Sequence, residues 1–136
     1  MILGQSIVPG KTTGRAVVTH EPLSFWGGYD PKTGEVVDRR HELSGSNLVD
    51  RILALPTGRG SSTASAILLE SIRNGTAPAA IIFTKTDPIL TLGAIIADEL
   101  WGRSIPILTI REEDFDKIPK DRELRITPDG RIDWDE

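Results

Sequence analysis

Apolar positions change their period along this chain. Residues 5–9 and 15–19 are short extended runs, parted by the turn-rich stretch Pro9-Gly10-Lys11-Thr12-Thr13-Gly14. Ala16-Val17-Val18 is continuously apolar and predicts a buried strand. From residue 51 onward two periods alternate. Ile52-Leu53-Ala54-Leu55 reads as a strand covered on both faces, closed by Pro56. Over residues 63–74, Ala64, Ile67, Leu68 and Ile72 fall at i, i+3, i+4 and i+8, which makes one apolar helical face. Asn74-Gly75 ends that helix and Pro78 follows. Residues 79–83 are again a continuous apolar run. Asp87-Pro88 supplies an N-cap and a proline at the first helical position; residues 89–100 predict a helix with a broad apolar face, ended by Gly102. Residues 105–110 read as the third strand of this set. Strand, helix, strand, helix, strand over residues 51–110 predicts a parallel βαβαβ core with right-handed crossovers.

The flanks differ. Asp30-Pro31-Lys32-Thr33-Gly34 is a turn, with Pro presetting φ and Gly supplying a positive one, so residues 22–38 read as a hairpin or a wide β-connection. Arg39-Arg40-His41-Glu42 reads as a charged connector on a solvated face, and Ser44-Gly45-Ser46 as a turn. Residues 111–122 are charged and carry Pro119, which suits a connector or a short helix. Residues 124–134, broken by Pro128-Asp129-Gly130, predict a closing hairpin. The expected fold class is α/β: one mixed β/β/α domain over residues 1–136, with additional strands around the parallel core, rather than a two-fold nucleotide fold.

Composition narrows the chemistry. The 136 residues contain no cysteine, so this chain can form no disulfide and offers no thiolate to a metal or an iron–sulfur cluster. His20 and His41 lie in unrelated stretches, which argues against a metal site built by this chain alone. The net charge of −4 argues against a nucleic-acid surface. No apolar run reaches membrane-spanning length, and Met1-Ile2-Leu3-Gly4-Gln5 lacks the blocks of a signal peptide. A cytoplasmic protein is the expectation.

The stretch with most chemistry is the strand-to-helix turn Pro56-Thr57-Gly58-Arg59-Gly60-Ser61-Ser62-Thr63. Gly58 and Gly60 permit backbone conformations that a Cβ forbids, and Ser61 or Ser62 falls where an N-cap is expected, at the positive end of the helix dipole. With Arg59 beside them, the free N–H groups would make a cup for an anion. The plainer alternative is a serine that only caps a helix. The turn is not a Walker loop, lacking Gly-Lys-Ser/Thr, and not a nucleophile elbow, lacking Gly-x-Ser-x-Gly. Ligands of α/β sheets sit beyond the carboxyl ends of parallel strands. Two loops leave such ends here, residues 56–62 and 84–87, and the second brings Lys85 and Asp87 to the same edge. Asp87 has its own plain alternative as an N-cap. Phe25, Trp26 and Tyr29 cluster beside Ser24, Gly27 and Gly28, either as core aromatics at a bend or as a loop whose backbone approaches a ligand or partner.

In combination, Ser24-Phe25-Trp26-Gly27-Gly28, Gly58-Arg59-Gly60-Ser61-Ser62, Ala77-Pro78-Ala79-Ala80-Ile81-Ile82 and Asp87 with Gly93-Ala94 resemble the small subunit of the aconitase X family. The resemblance spans residues 4–110. It implies a swivelling β/β/α domain that closes over a large catalytic subunit in a heterodimer, the large subunit carrying a 4Fe-4S cluster. It implies a hydro-lyase active only when assembled, with Ser62 as proton acceptor and Ser61 as the fallback. Arg59, Gly60, Ser61 and Thr63 would hold the oxyanion or substrate, and Ser24, Trp26, Gly27, Gly28 and Asp87 would belong to partner or site loops. The implied substrate is a phosphorylated hydroxy acid, mevalonate 5-phosphate, dehydrated to trans-anhydromevalonate 5-phosphate in an archaeal-type isoprenoid pathway; cis-3-hydroxy-L-proline is the alternative. Neither nucleic acid nor membrane is an expected partner. A serine hydroxyl is a poor base unless its alkoxide is stabilised, and a helix N-terminus with a guanidinium is suited to that. Two competing readings are a non-catalytic anion-binding swivelling domain and, weaker on charge grounds, a nucleic-acid-binding module.

Overall fold

In the computed structural model, which describes residues 1–58 and 63–135, the strands join into one sheet whose two ends are neighbours in sequence. The strands are β1 (Ile2–Leu3), β2 (Gln5–Val8), β3 (Thr12–Val18), β4 (Ile52–Leu55), β5 (Ala80–Phe83), β6 (Ile107–Thr109), β7 (Glu123–Ile126) and β8 (Arg131–Asp133). Their order is β1-β8-β7-β3-β4-β5-β6-β2. Since β1 and β2 are separated only by Gly4, the sheet curls nearly into a barrel; the Gly4 amide donates to the Gly130 carbonyl at 2.9 Å and extends the pairing of β1 with β8. The centre is parallel: β3 with β4, β4 with β5 and β5 with β6, through Leu53↔Ile81 and Ile81↔Ile107. The outer pairs are antiparallel.

Strand alternation divides the core in two. Ile52, Ala54, Ala80 and Ile82 point into the barrel, where they meet Leu124 and Ile126. Leu53, Leu55, Ile81 and Phe83 point the other way, against helices α2 (Ala64–Asn74) and α3 (Pro88–Trp101). Because both faces of β4 and β5 are covered, every residue of those strands is buried, which is why they are continuously apolar. Burying one such Leu, Ile or Phe side chain contributes about 1.5–3 kcal/mol. Gly75 and Gly102 end the two helices in the left-handed conformation, at φ 74° and 62°.

The βαβαβ core and the C-terminal hairpin stand as the sequence predicts. The N-terminal third departs from expectation. β3 starts at Thr12 rather than residue 15, because Thr12-Thr13-Gly14 pairs with β7 instead of turning. A Cβ on Gly14 would lie 2.8 Å from the Asp50 carbonyl, so glycine serves close backbone approach here. β1 was not legible at all, and β6 is shorter than residues 105–110. The stretch after β6 contains the single turn α4 (Glu112–Phe115). Residues 29–47 form the wide β-connection, bridged at Tyr29↔Val36 and Glu35↔Asn47. His41 is a correction: it is buried, not on a solvated face. Its Nδ1 accepts from the Leu43 amide at 3.0 Å and its Nε2–H faces the Glu21 carbonyl at 3.3 Å. A ring satisfied at both nitrogens can be buried at little cost.

Candidate functional site

Three loops leave the carboxyl ends of β3, β4 and β5, and the structure ties them together. The Pro56 carbonyl accepts from the Thr84 amide (3.1 Å), the Lys85 amide (2.9 Å) and the Thr84 hydroxyl (3.1 Å). Leu23, beyond β3, forms a parallel bridge with Gly58. Gly58 in turn lies against the start of α3: an added Cβ would sit 2.1 Å from Asp87 Oδ2. The loops after β4 and β5 therefore meet at one edge, where Gly58 lies against Asp87 and the close approach favours glycine.

Asp87 sits at the N-cap of α3. Its Oδ1 accepts from the Ile89 and Leu90 amides, both at 3.1 Å, and Pro88 occupies the first turn. The side chain is 5% exposed. The positive pole of α3 is therefore satisfied by the chain's own carboxylate. At the start of α2 the N-cap position falls on Thr63, which already has helical angles (φ −85°, ψ −16°), and the first turn carries no acidic residue. Ser61 and Ser62, expected near this cap, lie with Arg59 and Gly60 outside the described residues.

The aromatic loop holds two core rings and one exposed one. Phe25 and Tyr29 are core, with ring centroids 4.7 Å apart, and the Tyr29 hydroxyl donates to the Thr76 carbonyl at 2.6 Å. Burial pushes the Tyr29 phenol well above its ordinary range. Trp26 is turned outward and 58% exposed. The single turn α1 (Phe25–Gly28) is broken there, with Trp26 at ψ 120° and Gly27 at φ 75°, and the Ser24 hydroxyl donates across it to the Trp26 carbonyl at 3.0 Å. Ser24, Trp26, Gly27 and Gly28 line a groove of about 380 Å³ whose far wall is Glu21, Asp38, Arg40 and His41.

Sequence reasoning missed two clusters near this edge. His20 Nε2 lies 3.0 Å from Asp116 Oδ1 and its ring meets Phe115 edge-on at 5.3 Å. Both partners are exposed, so this pair contributes little to stability. The buried Thr19 hydroxyl donates to Glu42, and this bond holds the Glu42 carboxyl below its ordinary range, helped by the His20 backbone and opposed by partial desolvation. Ninety-six residues separate His20 from Asp116, and no local pattern could have joined them. The chain has no cysteine, and among the described residues no group of three or more His, Asp or Glu converges as a metal site requires. The ligand set of an iron–sulfur cluster does not fit this chain. No described helix is long and apolar enough to cross a membrane.

The family model of the aconitase X swivel domain matches residues 1–134. This chain belongs to the aconitase X swivel family. The crystal structure of aconitase X from Thermococcus kodakaraensis in its holo-form superposes with a TM-score of 0.88 at 34% identity, over 99% of this chain and 98% of that one. The swivel chain is 47% identical over 98% of its length to the cis-3-hydroxy-L-proline dehydratase of Pseudomonas aeruginosa, and it spans 23% of that protein. It is 44% identical over 88% of its length to the phosphomevalonate dehydratase small subunit of Thermococcus sibiricus, spanning 92% of that subunit. The same small subunit from Methanopyrus kandleri is 41% identical over 86% of this chain and is spanned to 83%. The swivel fold implied by the resemblance holds.

Proposed function

We propose that this swivel chain, as one domain over residues 1–136, is the small subunit of an aconitase X-type hydro-lyase, active only against a large catalytic subunit. The observation that carries the reading is the turn after β4. It is pinned by Leu23 on one side and Asp87 on the other, and it leads into a helix whose first turn holds no acid of its own.

In this reading Ser62 is the proton acceptor. Its alkoxide takes the proton next to the substrate carboxylate, the new electron pair forms the double bond as the C3–O bond breaks, and the departing hydroxide takes the proton back from Ser62 to leave as water, which restores the alkoxide. The α2 N-terminus, the amides of residues 60–63 and the Arg59 guanidinium stabilise the alkoxide or the substrate carboxylate. The 4Fe-4S cluster belongs to the large subunit. Trp26 and the glycines beside it, with Ser24, face the partner or the substrate. The assembly works in the cytoplasm, with neither nucleic acid nor membrane as partner.

The substrate in the first reading is mevalonate 5-phosphate, in keeping with the small subunits of 36–44% identity. A second reading, cis-3-hydroxy-L-proline, is favoured by 47% and 46% identity to the dehydratases of Pseudomonas aeruginosa and Hypocrea jecorina. The test is anaerobic co-expression with the large subunit and assay on both compounds. Ser62→Ala should abolish turnover, losing at least the roughly 10²–10⁴-fold that a positioned general base supplies, while assembly persists. Arg59→Lys should also lose rate, because lysine keeps the charge without the planar fork. Normal turnover by Ser61→Ala, Ser62→Ala and their double variant would put the base on the other subunit.

A further inference from the structure

We infer that the outer face of α3 is the surface by which this domain is held to the large subunit. The inference rests on the dehydratase reading above.

Among the described residues nine large apolar side chains are exposed, and five of them, Ile89, Leu92, Ile95, Leu100 and Trp101, lie on this one helix. Ile89, Leu92 and Leu100 run down one line with the half-buried Ile96, at i, i+3, i+7 and i+11, and Ile95 flanks them. The adjoining face, Leu90, Gly93, Ala94 and Ala97, is buried against α2 and the sheet. Acidic residues enter only near the C-terminal end, as Asp98 and Glu99, and the helix has no basic residue. A helix apolar all round is a helix covered all round. Here half of that cover is missing, and a continuous apolar row of this kind marks an interaction surface.

The occupant is argued from two observations. First, the row begins at Ile89, directly after the Asp87 cap and the Gly58 contact, so it runs outward from the candidate site itself. A partner that completes the site meets this row without a gap. Second, relatives carry the same domain either as 23% of a longer dehydratase or as a chain called a small subunit, and both imply a larger body beside it.

The face is also coupled to the site. Gly93 brings α3 so close to α2 that a Cβ there would lie 2.5 Å from the Ser65 carbonyl oxygen. Asp87 abuts Gly58 one loop away. A large subunit that grips α3 therefore bears on Gly58 and on Ser65 through these two contacts.

The test uses the large subunit from the same source, with the affinity of the unaltered chain measured by calorimetry. Leu92→Glu/Ile95→Glu should raise the Kd at least 10-fold, and the milder Leu92→Gln/Ile95→Gln should do so in the same direction if the glutamates disturb folding. Arg125→Glu, on the C-terminal hairpin, should leave it within 2-fold. A benzoylphenylalanine placed at residue 92 should cross-link to the large subunit. A Kd unchanged in both double variants, or a cross-link only to a second copy of this chain, overturns the inference and leaves the dehydratase reading standing. Absence of any complex with the unaltered chain overturns both.

Discussion

Helices α2 and α3 both start where a parallel strand ends, at the same edge of the sheet, and their first turns are furnished differently. At α3 the Asp87 carboxylate takes two backbone amides, and its pole of positive potential is used internally. At α2 the first turn holds no acidic residue, and the loop feeding it carries Arg59 and two serines. Neighbouring helix dipoles of equal sense would attract anions alike. The carboxylate at residue 87 makes them unequal: α3 is capped by the chain's own acid, and on the proposed reading α2 is the helix that serves a ligand. The two are not independent, since Gly58 and Asp87 touch and Gly93 locks α3 onto Ser65.

Breaking the first contact should have the largest effect. Gly58→Ala drives a Cβ against Asp87 Oδ2, so either the cap or the serine turn must move. We expect more than a 10-fold loss of turnover in the assembled enzyme, with a stability loss of about 1–3 kcal/mol by denaturant unfolding. In the Gly58→Ala/Asp87→Ala double variant the two stability losses should fail to add, because the second change removes the group the first one strikes.

Gly93→Ala pushes a Cβ onto the Ser65 backbone and forces the helices apart. A stability loss of about 1–3 kcal/mol is expected by thermal or urea unfolding. In the proposed dehydratase assembly the rate should also fall. Asp87→Ala removes the cap and should cost about 0.5–2 kcal/mol, whereas Asp87→Asn should retain most of it. If Asp87→Ala instead abolished turnover while leaving stability untouched, the division between anchor and ligand pole would be wrong.

The smallest effect concerns acid stability at α4. The Lys117 ammonium bonds to Asp114 at 2.9 Å and, with Arg111 at 3.2 Å, holds this nearly buried carboxyl below the usual carboxylate range. A folded-state pKa below the unfolded one gives stability that is present above the unfolded value and lost as pH falls through the folded one. Asp114→Asn should therefore flatten the stability profile below about pH 4, where an unperturbed aspartate titrates, and leave the edge unaffected.

The helix contrast was half legible in the sequence. Asp87-Pro88 before an apolar run announces a capped helix, and residues 52–55 and 79–83 announce strands covered twice, because local pattern and tertiary burial agree there. Thr12-Thr13-Gly14 misled, since turn-like residues were recruited by β7, far off in sequence. His41 sits in a charged run yet is buried, because its two ring nitrogens find backbone partners that no sequence pattern reveals. The meeting of Leu23, Gly58 and Asp87 was legible only as an expectation that loops at strand ends converge. Which glycine touches which carboxylate required coordinates.

The central proposal is that, of these two helix poles, the α2 pole is the one that binds an anion, and amide chemical shifts read it directly. Inorganic phosphate titrated into the isotopically labelled chain should shift the amides of residues 58–64 in a saturable way. The Ile89 and Leu90 amides, held by Asp87, should stay in place. Saturable shifts at Ile89 and Leu90, or none between residues 58 and 64, would contradict the account.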